Sequence, residues 1–132
     1  MQQFWGLAAA ALIGTAAVAD ESAVRGVIDD QIAALRADDF DTAFTFASPS
    51  IRGLFGTSAN FGRMVREGYP MVWRPAEVEY LTSDPVGSGW RQEVLITDAE
   101  GRLHVLRYSM IETEAGWRIN GVQILGEAQI GA

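Results

Sequence analysis

Two four-residue turns, Asp98-Ala99-Glu100-Gly101 and Thr113-Glu114-Ala115-Gly116, tie the second half of this chain to one pattern of strand pairing. The first has Asp where a type I turn favours it and Gly where the next residue must be left-handed, and the second repeats the design. Read as bulged three-residue loops, they pair Asp98 with Arg102 and Thr113 with Trp117. Counting outward places Glu93 opposite Arg107 and Glu112 opposite Arg118. Each opposite-charge pair is worth about 0.2–1 kcal/mol. A slip of one residue would lose both pairs and exchange the faces of the sheet.

That register gives one face with Trp90, Val94, Ile96, Leu106, Tyr108, Met110, Val122 and Ile124, with Gln92, His104 and Asn120 among them. The other face carries Leu95, Leu103, Val105, Ile111, Trp117, Ile119 and Leu125, interrupted by Arg91, Glu93 and Arg107. Neither face reads as solvent-facing, so both need a cover. Helices can supply one. The expectation for the other is a second copy of the chain, a homodimer through Leu95, Val105, Ile111, Trp117 and Ile119.

The helices lie in the first half. Val24, Val27, Ile28, Ile32 and Leu35 form one apolar stripe, which predicts a helix from about Ser22 to Ala37 with Asp20 as its N-cap. Asp39 can cap a short second helix bearing Phe40, Ala43, Phe44 and Ala47, ended by Pro49. A turn of helix around Ser50 to Phe55 is followed by a third helix, opened by Gly56-Thr57, with Phe61, Met64 and Val65 inward and Gly68 as its stop. Tyr69-Pro70 and Arg74-Pro75 predict extended chain. Strands are expected over 77–82, 90–97, 102–112 and 117–125. Helices first and an antiparallel sheet of about four strands second make an α+β domain.

The N-terminus reads as an address. Phe4 to Ala19 is uncharged and apolar, Ala17-Val18-Ala19 fits a signal-peptidase site, and Asp20 and Glu21 follow at once. The stretch is short of the roughly 20 residues of a membrane span. The expectation is cleavage after Ala19, a mature domain over 20–132 with no stable membrane span, and a periplasmic location; the alternative reading is an uncleaved N-terminal anchor helix. A mature chain of that length can still bury a core.

Composition excludes several chemistries. The chain has no cysteine, and all ten basic residues are Arg. Thiolate nucleophiles, zinc–thiolate sites, lysine Schiff bases and Walker-type phosphate loops are therefore out. One histidine, His104, cannot make a multi-imidazole metal site. A net charge of −7 without a basic stripe argues against nucleic acid as a partner. No metal or other cofactor is expected.

Arg36-Ala37-Asp38-Asp39, Phe46-Ala47-Ser48-Pro49, Phe55-Gly56, the run from Val65 to Pro70 and the terminal Gly116-Trp117-Arg118-Ile119 strand resemble a bacterial family catalogued as a domain of unknown function. That family is similar to the nuclear transport factor 2-like superfamily, which includes ketosteroid isomerase and SnoaL-type cyclases. The resemblance implies a cone-shaped fold, with a curved sheet around a helix, an apolar cavity and frequent dimerisation through the outer sheet face. It carries over no catalytic residue, because fold alone does not assign function.

The candidate pocket is read from the first sheet face. Gln92 and Tyr108 oppose one another near Asn120, among Trp90 and Met110, and Tyr69 and Trp73 can rim a mouth. The competing reading of the same residues is a core with a hydrogen-bonded polar cluster. His104 is expected at the sheet's end opposite Gly126, as a rim residue without chemistry. Asp38, Asp39 and Asp41 are expected to end and cap helices, and Pro75 and Pro85 to mark turns. The reading that follows is a non-catalytic periplasmic domain binding a small apolar molecule. The alternatives are an isomerase, cyclase or dehydratase using Tyr108, and an envelope protein-interaction module.

Overall fold

Apolar spacing in the first half and the turns of the second produce helices packed on one face of a four-stranded antiparallel sheet, in strand order β1-β2-β3-β4. The computed structural model describes the backbone of residues 2–128 and the side chains of residues 16–126. Of the stretch expected to be a signal peptide, the side chains before residue 16 therefore lie outside the described residues.

Helix α1 spans Gln2–Arg36, so Asp20 lies inside it and does not cap a helix starting near Ser22. The expected stripe is its buried face, with Val24, Ile28 and Leu35 each fully buried. Val24 is the first buried side chain among those described. Asp39 caps α2 (Phe40–Thr45) by accepting from the Thr42 amide. Ser48 caps α3 (Pro49–Phe55), and Thr57 caps α4 (Ser58–Gly68). The segment after Tyr69 is not extended as expected. It forms a one-turn helix, α5 (Pro70–Trp73), because proline at the first helical position needs no N–H partner there.

The strands are β1 (Glu77–Val86), β2 (Gly89–Thr97), β3 (Leu103–Thr113) and β4 (Gly116–Ala128). β1 runs past its expected end and carries Pro85 inside it, which an edge strand tolerates. The β2–β3 register matches the expectation, with Glu93 opposite Arg107 and Gln92 opposite Tyr108. Arg107 donates to Glu93 at 3.1 Å.

The Thr113 hairpin differs. Thr113 pairs with Gly116 and Glu112 with Trp117, so the loop has two residues and the expected Glu112–Arg118 pair does not form. The cause lies in the first turn residue. The Asp98 Oδ1 accepts from the amides of Glu100 and Arg102, holding a wide loop open. The Thr113 hydroxyl accepts the Ala115 amide and donates to the Gly116 carbonyl at 2.8 Å, which closes a tight one. Trp117 and Ile119 thereby turn to the helix-covered face and are buried, which removes them from the expected dimer surface. A bulge at Asn120 then restores the expected pairing of Tyr108 with Val122. A further bulge near Leu125 sets His104 opposite Glu127, not Gly126.

The helices cover the face bearing Trp90, Val94, Ile96, Leu106, Tyr108 and Met110, all buried. Leu95, Leu103, Val105 and Ile111 on the other face are half-buried. Among the described residues no helix is long and apolar enough to cross a membrane.

Candidate functional site

An apolar cavity of about 310 Å3 lies between the helices and the end of the sheet formed by β3 and β4. Leu35 of α1, Ile51, Leu54 and Phe55 of α3, and Phe61, Met64 and Val65 of α4 form one wall. Tyr108 of β3 with Ile119, Gly121 and Val122 of β4 form the other, closed by Tyr69 and Val72. The Asn120 bulge brings Ile119 and Val122 of β4 to this one cavity, because the extra residue shifts the strand's alternation.

Three polar side chains enter the lining. Gln31 donates its amide N–H to the Ala43 carbonyl at 3.1 Å, and the Tyr69 hydroxyl donates to the Val122 carbonyl at 3.0 Å. The Tyr108 hydroxyl is fully buried and has no hydrogen-bond partner among the described residues. Burial pushes its ionisation far above the ordinary phenol value, and the neighbouring Tyr69 pushes in the same direction. Tyr108 is therefore a neutral phenol at any physiological pH, with one hydrogen to donate. A buried hydroxyl without a partner costs about 1–3 kcal/mol, and among the described residues this is the one buried side-chain polar atom left unsatisfied.

The structure brings only Tyr69 and Tyr108 of the seven expected pocket residues into the cavity. Gln92 is buried beside Tyr108 in the register, but its amide N–H groups reach the carbonyls of Leu81, Thr82 and Glu93. Its Oε1 accepts from Arg25. Gln92 thus fills the β1 bulge between Tyr80 and Ser83. Trp90 donates to the Ser83 hydroxyl and packs edge-on to Trp117, 6.2 Å between centroids. Met110 is buried and outside the lining. Asn120 is exposed, and its Oδ1 accepts from the Ser48 hydroxyl at 2.8 Å. Trp73 donates to Asp38 and carries the Arg74 guanidinium 4.2 Å over its ring.

Trp73 instead borders a separate, more polar hollow with Arg74, Asp98, Arg102 and His104. His104 Nε2 and Asp98 Oδ2 are 2.8 Å apart, both nearly buried. That hydrogen bond holds the Asp98 carboxyl below its usual range. The pair braces the β2–β3 turn, since the same carboxylate accepts two turn amides. Asp38, Asp39 and Asp41 are engaged separately. Asp38 accepts from Trp73 and then Arg74, which lowers its pKa, while Asp39 caps α2 and Asp41 accepts from Ser58. Among the described residues no cluster of three or more His, Asp or Glu could hold a metal ion.

The helix side of the wall is not visible as a site in sequence, because Phe55, Phe61, Met64 and Val65 read as ordinary core. Leu54, 74% exposed on the short helix, is the one that stands out, and only once the packing is known.

A family model described as a domain of unknown function, DUF4864, matches residues 17–132. No curated protein and no solved structure matches the chain significantly.

Proposed function

We propose that this chain, which belongs to the DUF4864 family, binds a small, uncharged, mostly apolar molecule that offers one hydrogen-bond acceptor to Tyr108. The observation carrying this reading is the buried, unpartnered hydroxyl of Tyr108, a residue that lines an apolar cavity. A cavity of this size sits at the lower end of the roughly 300–1,000 Å3 range of ligand sites, and few polar groups fixing orientation is their usual pattern. A carbonyl or ether oxygen suits a donor that cannot ionise. A carboxylate does not, because the described lining holds no cation to pair with it.

Binding without catalysis is favoured over an isomerase, cyclase or dehydratase because the described lining has no carboxylate and no imidazole. A phenol alone supplies a donor but no base. The open cavity speaks against an interaction module with a self-filled core.

The same reading takes the family as a nuclear transport factor 2-like cone, supported by helices followed by a four-stranded antiparallel sheet with a cavity between them. It places the domain in the periplasm after cleavage behind Ala19. Among the described side chains, trimming there removes only exposed ones, those of residues 16–19. It also keeps a homodimer through Leu95, Val105 and Ile111, now without Trp117 and Ile119.

Prodan, a neutral naphthyl ketone whose emission responds to polarity and hydrogen bonding, tests the site. One-to-one saturable binding with blue-shifted emission is expected, weakened about tenfold by Tyr108→Phe, the equivalent of about 1.4 kcal/mol. Absence of saturable binding, or identical binding by the variant, would overturn the reading.

A further inference from the structure

We infer that α3 is a lid over the cavity, hinged at Ser48 and latched at its far end by Asn60. The inference rests on the cavity being a binding site, but the motion it describes can be measured without any ligand.

The wall helices are not equally held. α1 and α4 reach the cavity through Leu35, Phe61 and Val65, which are buried to 5% exposure or less and anchor their helices in the core. α3 contributes Ile51, Leu54 and Phe55 to the same wall and has no buried residue at all. A helix of seven residues is too short to persist without tertiary support. Elements with few buried contacts open at the lowest free energy.

Its two ends differ in the way a lid requires. At the N-terminal end Ser48 is fully buried. Its amide donates to the Ile119 carbonyl, its hydroxyl donates to Asn120, and the same hydroxyl accepts the Ile51 amide. That end is fixed to β4 at the bulge. At the other end Gly56 has φ +79, with open space where a Cβ would stand. The glycine can change conformation there at low cost. Among the described residues, the side chain that holds this end by a hydrogen bond is Asn60, whose Nδ2 donates to the Phe55 carbonyl at 3.0 Å in an exposed position. Phe55 meets Phe61 edge-on at 6.0 Å, a contact that an outward swing about Ser48 would break. Leu54, largely exposed on the closed lid, marks the edge where a ligand would enter.

Hydrogen exchange on the ligand-free protein decides whether the lid moves. The α3 amides are expected to exchange at least tenfold faster than those of Phe61 to Val65. Asn60→Ala should raise α3 exchange a further threefold or more without speeding that of Phe61 to Val65, since alanine favours the helix Asn60 belongs to, and Asn60→Gln should restore part of the α3 protection. Stopped-flow mixing with prodan then reads the gate. Asn60→Ala should speed association and dissociation by a similar factor and leave Kd within about threefold. Protection of α3 equal to that of α4, or exchange untouched by Asn60→Ala, overturns the lid whether or not prodan binds. Fast α3 exchange without any prodan binding would leave the lid standing and overturn the ligand class.

Discussion

Replacing Tyr108 with phenylalanine should make the ligand-free protein more stable, the reverse of what removing a buried polar group usually does. The hydroxyl is fully buried with no partner among the described residues, so its desolvation is uncompensated and costs about 1–3 kcal/mol. Deleting the oxygen removes that cost. It leaves a void of roughly 15 Å3, which at about 24 cal/mol per Å3 returns about 0.4 kcal/mol. The net gain is about 0.5–2.5 kcal/mol, or roughly 2–12 °C in Tm for a domain of this size. The comparison is Tyr69→Phe, whose hydroxyl donates to Val122. Losing that bond should cost about 0.5–1.5 kcal/mol. Urea unfolding followed by circular dichroism, on protein refolded from denaturant to strip any ligand, measures both. A Tyr108→Phe variant destabilised by about 1 kcal/mol or more would mean the hydroxyl is satisfied within the protein and has no need of a ligand.

Three further outcomes follow from the packing and the charges. Gly89→Ala should destabilise by about 1–3 kcal/mol, because a Cβ there would meet the Met110 carbonyl oxygen at 2.6 Å; a neutral result in urea unfolding would contradict the close approach. Stability should fall as pH rises above the ordinary phenol value of 10.0, since the unfolded chain ionises there while buried Tyr108 does not. The loss from this residue is about 1.4 kcal/mol per pH unit, and Tyr108→Phe should unfold with a shallower alkaline slope than wild type. Double-mutant cycles should give about 0.2–1 kcal/mol of coupling for Glu93 with Arg107 and none for Glu112 with Arg118, with equal couplings counting against the observed register.

The contrast between those two pairs shows what the sequence can and cannot carry. The Asp98 hairpin is legible because Asp98 both favours the turn and accepts the two amides that set its width. The Thr113 motif has the same number of residues and the same closing glycine, and its hydroxyl likewise accepts the amide two residues on; but it donates to the Gly116 carbonyl where the carboxylate accepts the Arg102 amide, and the register there differs by one residue. The bulge at Asn120 undoes the slip further along β4, so Tyr108 meets Val122 as expected. Gln92 reads as a pocket group in sequence because its partners, the carbonyls of the β1 bulge, exist only once β1 and β2 have paired. The helix-covered face is legible in outline from its large apolar residues. The cavity is not, because a void between packed helices and a sheet depends on side-chain volumes summed over several elements. α5 escapes a reading of local propensity in which proline counts as a breaker and not as a helix start.

Native mass spectrometry of the protein, purified gently from the cells that produce it naturally, tests the central claim most directly. The expected result is a species heavier than the polypeptide by one small neutral molecule. That added mass should be lost after organic extraction and regained as a one-to-one adduct when prodan is supplied. A single species at the bare polypeptide mass, which also fails to take up prodan, would contradict the claim that the Tyr108 cavity is a binding site.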